Sequence, residues 1–390
     1  MVNDGWLPPT ERSEHKASSG HKRDLVEDGD ILIHAHGVGS IDFSSMKPPD
    51  LRLLEDHAGR DNFRIVPTIF LRRSYIDEFD AVLNEYKRGK NAGEYQHILG
   101  FAVEGPLLGR SGGVPVSGCW NPTAEEWFRL ADMGHRGLVY MVIGPDAVDI
   151  DDELDERVSF RDVIRAFYWA NVKLALGHFQ HTDPHLSAQR TNKVIEFIQT
   201  EFGPSPDILL TDHLFNDMPR NFRHAWRGEV EKSARNSEVT EFLTRPWTDE
   251  SLVQILGPVP ALLVSAARSG LLTPVINFDG EHVDLAICKR VVEFLGTNRL
   301  IAISDHTDLD EMAGEKLHYK GSSTLRYRSD GVVAAGSAGL PAQRQSMASI
   351  GLSESEMKSL LCTVPARVLG HQISGADRLG KVDIANGQRR

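Results

Sequence analysis

Cysteine is scarce in this chain, and basic residues are outnumbered by acidic ones. Its 390 residues contain three cysteines, Cys119, Cys288 and Cys362, an odd number spread far apart. We therefore expect no disulfide framework and a reduced, cytoplasmic setting. Lysine and arginine total 43 against 55 acidic residues, which gives a formal net charge of −12. This balance argues against nucleic acid or an anionic membrane as a partner, because both attract basic surfaces.

Long apolar runs and nucleotide-binding glycine motifs are also lacking. No stretch approaches the ~20 apolar residues that span a bilayer, and the polar N-terminal residues have no apolar core of a signal peptide. No Gly-x-Gly-x-x-Gly follows a candidate strand, and there is no P-loop. A nucleotide cofactor is therefore not indicated.

Short apolar runs are present, and six of them lead to a residue that can bind a metal or move a proton. These residues are His34 with His36, Glu104, His178, His213, His282 and Asp305. Short apolar runs bounded by turn residues are typical of buried strands in a parallel sheet. In a barrel of such strands the C-terminal ends converge on one face, where active sites are built. Six coincidences of this kind are hard to obtain from packing alone.

Strand-like runs alternate with helical patterns from Asp30 to Asp305, which predicts an α/β fold of the (β/α)8 TIM-barrel type. A doubly wound sheet is the main competitor, but it places its site at one switch point rather than around a ring. We expect residues 1–29 to be a polar N-terminal segment and residues 30–390 to form the barrel with its C-terminal helices. The predicted strands are 31–33, 65–70, 99–103, 138–143, 174–177, 208–210, 273–278 and 300–304, and the predicted helices are 76–86, 122–131, 163–170, 187–201, 284–295, 346–350 and 354–361. Residues 218–257 resist assignment, and residues 314–339 read as an irregular excursion.

The strand-end residues predict metal-assisted hydrolysis of an amide or a similar bond. Glu104, His178 and His213 supply one oxygen and two nitrogens, a set that suits a catalytic zinc with an open position for water. The metal would bring the pKa of this water toward ~7. Asp305 would take the proton from the water and pass it to the leaving group. His282 could polarise the substrate carbonyl and stabilise the oxyanion.

Each of these residues could instead serve only the fold. Glu104 could be held in an ion pair, and the histidines could be hydrogen-bonded in the core. His34 and His36 are the most ambiguous. Being two residues apart, they point to the same face of an extended strand and could reach one ion together. They could hold a second ion that shares Glu104, or merely line the pocket of a one-metal enzyme.

Several segments resemble the amidohydrolase superfamily and, within it, the N-acetylglucosamine-6-phosphate deacetylases. They occur in the family's order between Asp30 and Lys381: His-Ala-His-Gly at 34–37, Val-Glu-Gly-Pro at 103–106, Leu-Gly-His at 176–178, Asp-His-Leu-Phe-Asn at 212–216, Phe-Asp-Gly-Glu-His-Val at 278–283 and Ser-Asp at 304–305. The resemblance implies a metal-dependent deacetylase acting on an N-acetylated amino sugar. It also implies that Glu104, His178 and His213 bind metal, that Asn216 and His282 contact substrate, and that Asp305 is catalytic.

The chain departs from the family beside the expected substrate. Asp217 stands where the family usually has alanine, and the position of a phosphate-contacting arginine falls on His224. An extra carboxylate and a missing arginine would weaken binding of a phosphate dianion, unless a nearby arginine takes the role. Trp120 falls where the family has a histidine, and Leu32 where it has an aspartate. The candidate substrate-binding residues are Asn216, Asp217, His224, Arg223, Arg227, Trp120 and His282.

Other activities stay open. The substrate could be a non-phosphorylated amide, such as a modified amino sugar, a cyclic amide or an N-acyl amino acid, or the barrel could bind a ligand without catalysis. The fourth strand, 138–143, lacks the carboxylated lysine of hydantoinase-like relatives. The family's accessory β-sandwich, built from both chain ends, is expected to be reduced or absent. We expect one or two zinc ions, a small-molecule substrate and a homodimer.

Overall fold

Eight parallel strands form one sheet in a computed structural model that describes residues 29–155, 158–222 and 244–372. Each strand is hydrogen-bonded to the next in chain order, which confirms the predicted (β/α)8 barrel. The strands are β1 (Asp30–Ala35), β2 (Phe63–Phe70), β3 (Phe101–Glu104), β4 (Leu138–Ile143), β5 (Lys173–Leu176), β6 (Leu209–His213), β7 (Thr273–Asn277) and β8 (Ile301–Ile303). The predicted polar segment, apart from residue 29, lies outside the described residues.

Residues that follow β8 join the last strand to the first. The backbone N–H of Asp305 donates to the carbonyl oxygen of His34 at 2.8 Å, and the N–H of His36 donates to that of His306 at 2.9 Å. These bonds run between the C-terminal ends of β1 and β8. They bring the first and last predicted site residues to the same rim of the barrel.

Eight helices of the described residues connect the strands or flank these connections. They are α1 (Asp50–Arg60), α2 (Ile76–Asn91), α3 (Ala124–Asp132), α4 (Phe160–Trp169), α5 (Pro184–Phe202), α6 (Asp249–Leu256), α7 (Pro258–Arg268) and α8 (Leu285–Leu295). Helix α3 was predicted to contain Pro122 near its first turn. It begins two residues later, because the side chain of Thr123 caps it in a capping box with Glu126.

Three C-terminal helices follow, and the last one packs against the barrel interior. They are α9 (Leu340–Ser349), α10 (Glu354–Lys358) and α11 (Val364–Gly370), with a π-helical turn at Ser359–Thr363. Val364 and Val368 of α11 belong to the same apolar cluster as Ile31, Ile33 and Ile301 of the barrel strands. The predicted helix at 346–350 was too short, since a proline in its first turn lets the helix start at Leu340.

The remaining strands of the described residues form four two-stranded ribbons and no β-sandwich. Two ribbons lie in or beside the excursion predicted as irregular: Glu311–Met312 pairs with Glu315–Lys316, and Arg326–Tyr327 pairs with Val333–Ala335. In the described part of the chain, no helix has the length and apolar character needed to cross a membrane.

Candidate metal and active site

The residues singled out in the sequence meet at the C-terminal end of the barrel. Glu104 and His213 are the last residues of β3 and β6, and His34 lies near the end of β1. His178, His282 and Asp305 stand in the loops that follow β5, β7 and β8. The exposed fraction is 5% or less for each of these residues and for His36. The barrel therefore gathers a set of titratable side chains that water hardly reaches.

Three of these residues have a left-handed backbone conformation. The φ angles of His34, His178 and Asp305 are 58°, 53° and 45°. Such left-handed residues cost about 1–3 kcal/mol each and tend to cluster at functional sites. The simple alternation assumed for His34 and His36 is therefore wrong, because β1 shifts register between Ile33 and Ala35. The two rings still lie together, with centroids 5.2 Å apart.

One carboxylate oxygen of Glu104 faces histidines from β5 and β6. Its Oε1 lies 2.6 Å from Nε2 of His178 and 3.9 Å from Nε2 of His213. Oδ2 of Asp212 lies 3.0 Å from the same nitrogen of His213 and 3.5 Å from that of His178. We refer to Glu104, Asp212, His178 and His213 as the His213 group.

The other oxygen of Glu104 faces the histidines of the first strand. Oε2 lies 3.3 Å from Nε2 of His34 and 3.5 Å from Nε2 of His36. Oδ1 of Asp305 lies 3.3 Å from Nε2 of His36 and 3.9 Å from Nε2 of His34. We refer to Glu104, His34, His36 and Asp305 as the His36 group. Glu104 thus stands between two sets of donor atoms.

Asp212 is the residue of this site that the sequence analysis missed. It immediately precedes His213, and neighbours on a regular strand point to opposite faces. The pairing of β6 with β7 shifts register between Leu210 and His213, so both side chains reach the same place. The only sequence signal was a second acidic residue beside a predicted ligand.

The electrostatics of the site favour added positive charge. Burial lowers the pKa of His34, but Asp212, Glu104 and Asp305 outweigh this effect and raise it to about 9. Burial likewise opposes charge on His178, yet Asp217 and Glu104 raise its pKa well above the usual value. These buried carboxylates draw protons onto imidazoles that would otherwise be neutral.

The donor atoms fit a divalent cation. Oε2 of Glu104 and Nε2 of His34 are buried and make no hydrogen bond to the described residues. Buried polar atoms are rarely left without a partner, so each such atom calls for an explanation, such as a missing ion. Imidazole and carboxylate together suit zinc and other first-row divalent metals.

His282 and Asp305 form a second functional unit beside these groups. Nε2 of His282 lies 3.3 Å from Oδ2 of Asp305, and Nδ1 of His282 lies 2.6 Å from Oδ2 of Asp279. Burial would raise the pKa of Asp305, but His282, His36 and His34 outweigh it and hold this pKa well below its usual range. Asp305 is therefore ionised, and Asp279 orients the imidazole that faces it.

A cavity of about 240 Å³ opens over the site, and the loop after β6 forms part of its described wall. Asn216, Asp217 and Arg220 line it together with Arg110. Oδ2 of Asp217 lies 3.1 Å from Nδ1 of His178, and Oδ1 lies 3.6 Å from the guanidinium of Arg110. His178 and Arg110 therefore partly compensate the negative charge of Asp217.

Other predicted substrate contacts lie elsewhere. The indole N–H of Trp120 donates to the carbonyl oxygen of Leu71 at 2.8 Å, and Arg73 lies over its ring. Trp120 is not part of the described cavity wall. His224, Arg223 and Arg227 lie outside the described residues.

Solved structures of N-acetylglucosamine-6-phosphate deacetylases share the fold of this chain. The Pasteurella multocida structure gives a TM-score of 0.62 at 16% identity, covering 88% of this chain and 76% of that one. The Mycobacterium smegmatis structure gives 0.58 at 21% identity, covering 89% and 80%. The Thermotoga maritima structure gives 0.55 at 14% identity, covering 88% and 78%. No protein-family model and no curated protein matches the chain.

Proposed function

We propose that this chain is a metal-dependent amidohydrolase that removes the acetyl group from an N-acetylated amino sugar. The observation that carries the proposal is the position of Glu104, whose two oxygens face separate pairs of histidines at the open end of the barrel. The fold shared with N-acetylglucosamine-6-phosphate deacetylases supports the same activity class.

The residues divide into holding and reacting groups. The His213 group and the His36 group would each hold one divalent ion, with Glu104 shared, and zinc is the ion we propose. Such an ion polarises a bound carbonyl and lowers the pKa of water to ~7. Asp305 accepts the proton of the attacking water and passes it to the leaving nitrogen. His282 donates a hydrogen bond from Nε2 to the developing oxyanion, and Asp279, which faces its Nδ1, orients the ring and stabilises its positively charged form.

The cavity wall bears on the choice of substrate. Asp217 was expected to disfavour a phosphate, but it lies against His178 and Arg110, which oppose its charge. Arg110 and Arg220 also line the cavity, so an anionic group on the substrate would lie beside two cationic side chains. We propose the sugar phosphate as the first substrate to assay, with the free N-acetylated sugar, a cyclic amide and an N-acyl amino acid as the alternatives.

A metal and substrate assay tests the proposal. Purified protein should contain close to one or two equivalents of a divalent metal, measured by elemental mass spectrometry. It should release acetate from an N-acetylated amino sugar, and chelator treatment should abolish this release. If the protein hydrolyses only a cyclic amide or an N-acyl amino acid, that compound class replaces the N-acetylated amino sugar as the proposed substrate. Absence of stoichiometric metal would favour a barrel that binds a ligand without catalysis.

A further inference from the structure

Asp212 is a buried carboxylate for which the predicted chemistry has no use. Its exposed fraction is 2%, and neither of its oxygens accepts a hydrogen bond from the described residues. An ionised carboxylate buried in this way is costly unless a cation or hydrogen-bond donors compensate it. The described surroundings of Asp212 offer imidazole nitrogens instead of amide or hydroxyl donors.

The first oxygen of Asp212 lies among the donor atoms of the His213 group. Oδ2 is 3.0 Å from Nε2 of His213 and 3.5 Å from Nε2 of His178. The same two nitrogens lie 3.9 Å and 2.6 Å from Oε1 of Glu104. Ligand atoms about 2.0–2.1 Å from a tetrahedral zinc are separated by about 3.3 Å from one another. The four contacts scatter around that value.

The second oxygen of Asp212 reaches the other group. Oδ1 lies 3.3 Å from Nδ1 of His34, whose Nε2 lies 3.3 Å from Oε2 of Glu104. A metal-binding histidine usually donates its other ring N–H to a carboxylate or carbonyl, which fixes the ring and its tautomer. Asp212 therefore stands where it can orient His34 toward the His36 group.

We propose that Asp212 is a metal ligand through Oδ2, completing a four-residue site with Glu104, His178 and His213, and that its Oδ1 positions His34. This inference rests on the proposed metal-dependent function and adds a ligand to it. Glu104 and Asp212 then bring two negative charges to one divalent ion. The His213 group holds its ion more tightly than two histidines and one carboxylate would.

Metal binding by Asp212→Asn tests the proposal, with Asp30→Asn as the matched control. Asp30 is a carboxylate at the opposite end of β1, paired with Arg344. Zinc affinity is measured by competition with a chromophoric chelator. We expect the dissociation constant of Asp212→Asn to rise at least tenfold, the lower end of what changes around metal ligands cause. Asp30→Asn should bind zinc as the unmodified chain does.

Thermal unfolding with and without zinc separates a ligand from a structural carboxylate. Each protein is compared with its own metal-free form, and zinc should raise the unfolding temperature of Asp212→Asn less than that of the unmodified chain. The visible spectrum of the Co²⁺-loaded protein should also change, because it depends on ligand number and geometry. If Asp212→Asn does not fold, Asp212→Ser replaces it.

The outcomes are distinct. Equal zinc affinity in Asp212→Asn and the unmodified chain would overturn the role of Asp212 and leave the proposed function standing. Failure of the unmodified chain to bind any divalent metal would overturn both. Weaker zinc binding in Asp212→Asn, with Asp30→Asn unchanged and the Co²⁺ spectrum altered, supports the ligand.

Discussion

Nε2 of His282 lies 3.3 Å from Oδ2 of Asp305, so the two groups to which we assign opposite tasks in proton transfer face each other across the site. The acceptor is Asp305 in our proposal, because nearby histidines keep its pKa low despite burial. The donor is His282, whose other ring nitrogen lies 2.6 Å from Oδ2 of Asp279. Two of the predictions below follow from this pair.

Asp305→Asn should abolish turnover while the His213 group keeps its metal. An amide cannot accept the proton, so we expect kcat to fall by about 10²–10⁴-fold, the usual contribution of a general base. Steady-state kinetics and elemental analysis of the same preparation check this. Asp308→Asn is the control, since Asp308 lies three residues away and its carboxylate accepts a hydrogen bond from the backbone N–H of Gly39. Full activity of Asp305→Asn would refute the assigned base.

Asp279→Asn should lower kcat more than it changes KM. Oδ2 of Asp279 faces Nδ1 of His282 at 2.6 Å, and an amide there would not stabilise an imidazolium. We expect a loss of about 100-fold in kcat, at the lower end of the range for acid–base groups. The pH profile of kcat should change as well, because Asp279 is the carboxylate that faces Nδ1 of His282. Unchanged kcat and an unchanged profile would mean that His282 is structural.

Glu104→Gln should remove metal from both groups. The two oxygens of Glu104 lie 2.6 Å from His178 and 3.3 Å from His34, and an amide nitrogen cannot replace either as a ligand. Zinc affinity should fall by more than ~100-fold, since changes in outer-shell partners alone cost 10–100-fold. Glu55→Gln is the control because Glu55 pairs with His97 outside the site. Retention of zinc by Glu104→Gln would contradict the shared carboxylate.

The stability of metal-free protein should fall as the pH rises. Burial opposes charge on His34, but neighbouring carboxylates raise its folded-state pKa from 6.5 to about 9. Protonation of His34 therefore contributes fully to the stability of the fold below pH 6.5, and this contribution disappears as the pH rises through about 9. Chelator-treated protein should therefore show a falling unfolding temperature between pH 6.5 and 9. Zinc-loaded protein should show less decline, because the metal takes the place of the proton.

Gly177→Ala should weaken metal binding without replacing a ligand. A Cβ at Gly177 would overlap the side chain of Asp212 and push it from its place. We expect zinc affinity to fall by about tenfold, the lower end of what changes around metal ligands cause. Gly370→Ala is the control, since a Cβ at Gly370 meets no described atom within 4 Å. Equal zinc binding in both variants would show that Asp212 can move without consequence.

Sequence patterns predicted the barrel strands because each strand contains a short apolar run, and six of the eight runs lead to a residue that can bind a metal or move a proton. The run at Leu138–Ile143 was placed with both ends correct. Helix starts were less accurate where a cap decides them: Thr123 fixes α3, and Asp183 caps α5, which begins three residues before the predicted start. Capping depends on one side chain, whereas hydrophobic periodicity is spread over a whole element.

The site could be predicted residue by residue but not in its arrangement. His34, Glu104 and Asp305 were identified because each follows an apolar run. No sequence pattern indicated that one oxygen of Glu104 would face His34 and the other His178. Asp212 was missed because regular alternation places it on the wrong face, and the shifted register of β6 reverses that expectation. Local irregularity of strands is set by tertiary contacts, which a pattern of single residues does not contain.

The left-handed backbone at His34, His178 and Asp305 limits which amino acids these positions can accept. β-Branched residues are excluded there by steric strain alone, whatever their chemistry. A saturation scan would therefore score most substitutions as harmful for two unrelated reasons, loss of fold and loss of reaction. Asparagine tolerates this backbone and keeps a polar side chain. Asparagine at each position is thus the substitution that measures chemistry with the smallest contribution from folding.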